Sequence, residues 1–392
     1  MKKIYFDYSA STPVDKRVLK LMEPYFSEKF GNSMSLHSFG QEAKLAIENA
    51  RTVLASIINA NSSEIIFTSS ATESNNMALK GIAFANNLPG KKKKNHIIIS
   101  SVEHPCVVES AKWLVKQPWH GFEITKLPVD EFGAVNPEDV KKAIKENTVL
   151  VSVIHASNEI GTIQKIEEIG KICKDAGIYF HTDATQSFGK ISIDVKKMNI
   201  DLLTASSHKI YGPKGVGMLF VKKGTVIQPI LHGGGQEQGL RGSTVNVAGI
   251  VGFAKAAELC KKEMKIENKR LEILRDKLIK EVLKIKNSRL NGHPKNRLAN
   301  NANFSFDFVE GESLLMQLDM QGIACSTGSA CSSFNLEPSH VLLATGLKPE
   351  QAHGSLRISL GRFTTNKDIE KIIKVLPKIV EKIRSMSPFK CQ

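Results

Sequence analysis

The chain has no apolar run near the roughly 18 residues that a membrane-spanning helix needs. It has no C-x-x-C pair and no Cys/His cluster at metal-ligand spacing. No G-x-G-x-x-G loop follows a strand-like run, which disfavours a nicotinamide cofactor. At the N-terminus, MKKIYFDYSAS carries two lysines, but the apolar patch behind them ends at Asp7, too short for a signal-peptide core. These absences lead us to expect a cytoplasmic protein with no membrane partner and no metal. Acidic residues are in short supply: 39 Asp and Glu face 54 Lys and Arg, leaving a net charge of +15. A lysine-coated surface accounts for that excess, and an acidic protein partner or RNA is the sharper reading. The run KKKK at 91–94 has no interleaved aromatics, so direct nucleic-acid binding is not expected.

What is present suits two domains, since 392 residues exceed one ordinary core. From about residue 65 to 232, short β-rich runs alternate with helical stretches. The runs are EIIFTSS, HIIIS, TVLVSVIHAS, IYFHTDA, DLLTASS, GVGMLFV and QPILH. Several are apolar throughout, as strands covered on both faces must be. This predicts an α/β domain with a mainly parallel sheet. After Gly249 a long charged amphipathic region begins, followed by strand-like NFSFDFV and LRISLG and a last helix from Asn366. We expect a large domain over 16–258, and a smaller α+β domain formed by 1–15 and 259–392.

Four predicted strand ends are chemically capable, and in such sheets function gathers at the carboxyl ends of strands. TSSATESNN, residues 68–76, is a helix start whose N–H groups suit an anion or serve as a plain cap. SVEHP places His104 just after a strand. YFHTDATQS places Asp183 and Gln186, and an apolar strand ending in a carboxylate calls for a positive partner, either a cofactor ring nitrogen or an arginine. HASNEIG places Asn158 nearby. TASSHKIYGPKGVG places Ser206, His208 and Lys209 at a strand end, where partial desolvation makes an amine nucleophilic. Each alone has a bland reading. In order along one sheet edge, they are the parts that hold pyridoxal 5′-phosphate: an anion site, a lysine for the Schiff base and an aspartate for the pyridinium.

The motifs DYSASTPVD, FGN, TSSATESNN, SVEH, NEIGTIQ, HTDATQSFGK, SHKIYGPKGVG, HGGGQE, STGSACSS, LEPSHVL and LRISLGRFT resemble, in order, those of the NifS/IscS-type cysteine desulfurases of the class V aminotransferase group. The resemblance implies an aspartate-aminotransferase-like fold type I with a seven-stranded sheet, and a homodimer that converts L-cysteine to L-alanine. It implies Lys209 as the Schiff-base lysine, Asp183 on the ring nitrogen, Gln186 on the phenolic oxygen and His104 stacked on the ring. Ala71, Thr72, Ser206 and His208 would bind the phosphate, joined by Thr244 from the other subunit, while Asn158 and Arg357 would hold the substrate carboxylate. The nucleophile would be Cys331, in a Ser/Gly/Ala-rich stretch suited to travel, and its persulfide would supply acceptor proteins in iron–sulfur cluster assembly or tRNA thiolation. Cys325 reads as a packed small residue. One departure concerns RGST at 241–244, where the family order is Arg-Ser-Gly-Thr; moving the glycine changes which residue can adopt positive φ. Rival readings are a selenocysteine lyase, an aminotransferase on the same fold, and an RNA-binding or scaffold protein that has lost activity.

Overall fold

A computed structural model describes residues 3–87, 93–117, 121–328 and 337–386. Its strands, in chain order, are β1 (Ile4–Tyr5), β2 (Ile65–Thr68), β3 (His96–Ser100), β4 (Glu123–Leu127), β5 (Thr148–Ser152) and β6 (Tyr179–Asp183). They continue as β7 (Leu202–Ser206), β8 (Gly217–Val221), β9 (Ser288–Asn291), β10 (Asn301–Phe306), β11 (Ile323–Ala324) and β12 (Ser355–Ser359). Seven of them form the central sheet in the order β2-β8-β7-β6-β5-β3-β4. Only β8 runs against its neighbours; the other pairs are parallel.

The continuous apolar runs are the middle strands because helices cover both faces. Along β3, Ile98 packs into the core on one face, while Ile97 and Ile99 pack into the core on the other. Alternation thus persists, but both sides are apolar. Full burial of each such side chain contributes roughly 1.5–3 kcal/mol.

The sheet corrects one expected strand. QPILH forms no strand; it runs as a loop with a single bridge at Leu231. The seventh strand is β4, EITKL, which pairs with β3 at the sheet edge. Only Leu127 of β4 is buried, so the segment carries charged residues and lacks an apolar signature.

A second, antiparallel sheet has the order β12-β10-β9. It packs with the helices Gly311–Met320 and Asn366–Met386 around another core. The 36-residue helix Val247–Val282 joins the two cores: Ile250 to Cys260 face the first, Leu271 to Val282 the second. Ile4 and Phe6 also pack into the second core, and β1 pairs parallel to β11. The N-terminal segment then crosses to the central sheet, where Thr12 Oγ1 donates to the His208 carbonyl at 2.9 Å.

Candidate functional site

The parallel strands deliver their chemistry to one edge. Beyond β2, Ser70 caps the helix Ala71–Asn86, its Oγ accepting from Glu73 N–H. Past β3, His104 caps the helix Pro105–Lys116. Asn158 follows β5, Asp183 closes β6, and His208 and Lys209 follow β7. A cavity of about 390 Å³ opens there, lined by Ala71, Thr72, His104, Asn158, Asp183, Gln186, His208, Lys209 and Arg357. Nine of the predicted side chains thus meet around one space.

Asp183 is buried, and its carboxylate accepts from Asn75 Nδ2 at 2.7 Å and from Thr185 N–H at 2.9 Å. No cation forms an ion pair with it among the described residues. A buried carboxylate in that state favours a positively charged visitor. The Lys209 amine donates to the carbonyls of Ser9 (2.6 Å) and Ala10 (2.8 Å). Gln186 Nε2 donates to that same Ser9 carbonyl at 2.9 Å. His208 is driven down to about 4 by burial and by the charges of Lys209, Lys214 and Lys190, so it is neutral at pH 7. Arg357 is anchored by Asp7 at 2.9 Å and by the Asn158 carbonyl at 3.2 Å, while its buried Nε has no partner among the described residues. Thr185 Oγ1, also on the cavity wall, is buried without a partner among the described residues. Orphaned donors in a cavity of this size fit a polar ligand.

Three predicted residues lie elsewhere. Ser206 is buried at the end of β7, paired with Gly217, and is not among the cavity-lining residues. Thr244 is exposed beside a separate cleft that includes Ser69 and Arg241. Cys331 lies outside the described residues, as does Cys391. Cys325 packs against the second core, and burial pushes its thiol up to about 12, as a structural cysteine requires.

The RGST exchange has a physical account. A Cβ on Gly242 would lie 2.6 Å from the Gly233 backbone, so position 242 excludes any side chain. Ser243 then takes φ 143°, a conformation that favours glycine. The loop keeps its positive φ at the third position although serine now occupies it. Ser243→Gly should therefore stabilise the fold by about 1 kcal/mol, after the entropy glycine adds to the unfolded chain. The midpoint of urea unfolding should rise at constant slope; an unchanged or lower midpoint would refute the strain.

Sequence reasoning missed several wall residues. Ser9 and Ala10 arrive from the distant N-terminus. Glu159 reaches the cavity with Ser339 Oγ donating to it at 2.5 Å, and burial pushes its carboxyl up to about 7. Glu103, next to His104, is fully buried; its Oε1 accepts from Ser100 Oγ (2.5 Å) and Ile154 N–H (2.7 Å), and Oε2 has no partner among the described residues. Burial raises it from 4.5 to about 8. Between those values the folded chain holds a proton the unfolded chain has lost, so this group's contribution falls as pH rises. The slope is about 1.4 kcal/mol per pH unit. Glu103→Gln keeps both acceptor contacts and removes the titration. Urea unfolding across that window should show the variant gaining on the wild type as pH increases, and parallel curves would contradict this.

The family description aminotransferase class-V matches residues 4–372. A cysteine desulfurase IscS of Dictyoglomus turgidum is 54% identical, over 99% of this chain and 97% of its own length. The mitochondrial cysteine desulfurase of Saccharomyces cerevisiae is 48% identical over 99% of this chain and 77% of its own. Among solved structures, a NifS-like protein superposes with a TM-score of 0.90 at 38% identity, covering 97% of this chain and all of the other. A structure described as SspA in complex with cysteine gives 0.80 at 38% identity, over 93% of this chain and all of that one.

Proposed function

The chain belongs to the aminotransferase class-V family, and from that membership we infer that its cavity is the pyridoxal-phosphate and cysteine site of a cysteine desulfurase. The observation that carries this reading is the buried, cation-free Asp183 on the same cavity wall as Lys209. The residues fit the cofactor. Backbone N–H groups and the dipole at the start of the 16-residue helix Ala71–Asn86, with Thr72 and His208, suit its phosphate, and Ser206, two residues before His208, belongs to the same proposed phosphate site. Asp183 suits its ring nitrogen, Gln186 its phenolic oxygen, His104 its ring face and Lys209 its aldehyde. When bound, pyridoxal phosphate supplies an electron sink for the substrate Cα.

The chain's own groups do the rest. Arg357 and Asn158 hold the cysteine carboxylate, and the unpartnered Nε of Arg357 is a donor available to it. Lys209 carries the Cα proton. Cys331, as thiolate, attacks the substrate sulfur: the carbon–sulfur bond breaks, a sulfur–sulfur bond forms, and the carbon that loses sulfur takes up a proton. The products are alanine and a Cys331 persulfide, which then goes to acceptor proteins for iron–sulfur cluster assembly or tRNA thiolation. An acidic acceptor suits the +15 charge.

A homodimer belongs to the same reading. Phe26, Phe30, Met34, Leu36 and Phe39 are exposed together, Leu36 at 92%. A groove joins this apolar segment to the 235–245 loop that bears Thr244, so a partner covering the patch would receive that threonine. The division into 16–258 and 1–15 with 259–392 is part of the same reading; the two cores support it in outline, with Tyr8, Leu259 and Cys260 packed in the first. None of the described helices is long and apolar enough to cross a membrane, and a cytoplasmic site of action is part of the proposal.

The test is direct. Purified protein given pyridoxal phosphate should show a visible absorption band that borohydride bleaches while fixing the cofactor to Lys209. Cysteine should then yield alanine. Labelling at another lysine, or alanine formation without the cofactor, would reject the reading.

A further inference from the structure

Cys106 lines the cavity beside His104, and the desulfurase reading gives it no part. Asn75, the Thr72 hydroxyl and His104 surround its sulfur. Asn75 Nδ2 lies 2.7 Å from Asp183 Oδ2 and 3.1 Å from Cys106 Sγ. Only the amide nitrogen can face a carboxylate, because an oxygen there would be repelled. Both Asn75 N–H bonds are therefore spent, one on Asp183 and one on the Cys106 sulfur. That sulfur is an acceptor from Asn75, and its own proton is left to aim elsewhere.

His104 Nδ1, an acceptor, lies 2.9 Å from Sγ. The Cys106 backbone N–H also points at Nδ1, at 3.2 Å, as part of the helix cap. A backbone N–H can only donate, so Nδ1 carries no proton. The Thr72 hydroxyl stabilises the sulfur as a donor, so the thiol's own proton goes to Nδ1, and the imidazole proton resides on Nε2. His104 Nε2 has no hydrogen-bond partner among the described residues, and the ring lines the cavity.

We propose that Asn75 and Cys106 are positioning residues that hold His104 as its neutral Nε2–H tautomer, with that proton presented to the cavity. The chain runs in one direction, from the Asn75 amide shared with Asp183, through the Cys106 thiol, to the imidazole. Its chemical consequence concerns the carbon from which sulfur departs, which needs a proton to become the alanine methyl group. A histidine with hydrogen on Nε2 can give one there and take it back from the thiol that becomes the nucleophile; the net transfer is from the Cys331 thiol to that carbon. Burial, with smaller contributions from Lys209 and His340, lowers the His104 pKa, which keeps the ring neutral. Burial also pushes the Cys106 thiol up to about 12, so it stays a proton donor and does not compete as a thiolate for the substrate sulfur.

The role in catalysis rests on the desulfurase reading, but the tautomer does not, and the test separates them. The full chain is labelled with 15N-histidine, and long-range 1H–15N spectra are recorded with and without pyridoxal phosphate. Loss of signals in His104→Gln identifies the ring. The wild type should show hydrogen on Nε2 in both states. Cys106→Ala removes one donor to Nδ1 and eases protonation there, so the His104 pKa should rise by about half to one unit, the equivalent of one lost hydrogen bond. Cys106→Ser, which keeps a donor, should return it toward the wild-type value. In the loaded enzyme, kcat of Cys106→Ala should fall about fivefold at little-changed KM. A wild-type ring protonated on Nδ1 overturns the proposal whether or not any variant folds. A His104 titration unmoved in Cys106→Ala, or equally displaced in Cys106→Ser, overturns it too. Correct tautomers in a protein that makes no alanine would reject the desulfurase reading and leave the tautomer assignment standing.

Discussion

Lys209→Ala should reduce alanine formation from cysteine by at least about 10³-fold, because one substitution removes both the anchoring amine and the carrier of the Cα proton. The variant should lose the visible band that borohydride bleaches, yet unfold at nearly the wild-type urea concentration. The amine's contacts include the Ser9 and Ala10 carbonyls, and both carbonyls border the cavity, where water can replace it. Cofactor added to Lys209→Ala should bind weakly, since the phosphate site at the start of the helix Ala71–Asn86 is intact. Added amines of small size should restore part of the proton transfer. Substantial turnover without Lys209 would remove the foundation of the proposed chemistry.

The second large effect concerns the two thiols of ACSTGSACSS. Cys331→Ser should abolish protein-bound persulfide after incubation with cysteine, and alanine formation should drop to background. Cys325→Ser should keep both. The contrast follows from environment: Cys325 packs against the second core with a thiol pushed up to about 12, so almost none of it is thiolate at pH 7. Trapping the persulfide with an alkylating reagent and mapping the modified peptide decides between them. A label on Cys325, or persulfide at the normal rate in Cys331→Ser, would reverse the assignment. Selenocysteine offered to Cys331→Ser tests the neighbouring activity. Turnover of selenocysteine with loss of turnover of cysteine would mark a lyase.

The parts legible in the sequence were those whose signal is local. HIIIS, TVLVS and LLTAS announce buried strands because no polar residue interrupts them. Asp183, His104 and Lys209 stand out because each is a chemically active residue at the end of such a run. The parallel sheet then brings these ends together without further instruction. What was not legible depends on partners remote in sequence. EITKL became the edge strand β4 because β3 offers it a partner, while QPILH had the apolar look and found none. Nothing in CVVES suggests that Cys106 lies between Asn75 and His104; that follows from helix Pro105–Lys116 packing beside helix Ala71–Asn86. The Ser243 strain was half visible. The exchanged glycine signalled an altered turn, but the Gly233 backbone that forbids a side chain at 242 appears only in three dimensions.

The pairing of β1 with β11 and the Ser9–Lys209 contact have a consequence for biosynthesis. Residues 4 and 5 cannot find residues 323 and 324 until most of the polypeptide has left the ribosome tunnel. Until then the segment that closes one side of the cavity has no docking place on its neighbouring strand. Pairings of such long sequence separation form slowly and late. The nascent polypeptide therefore completes its central sheet before its binding site, and vitamin B6 loading is expected to be a post-translational event.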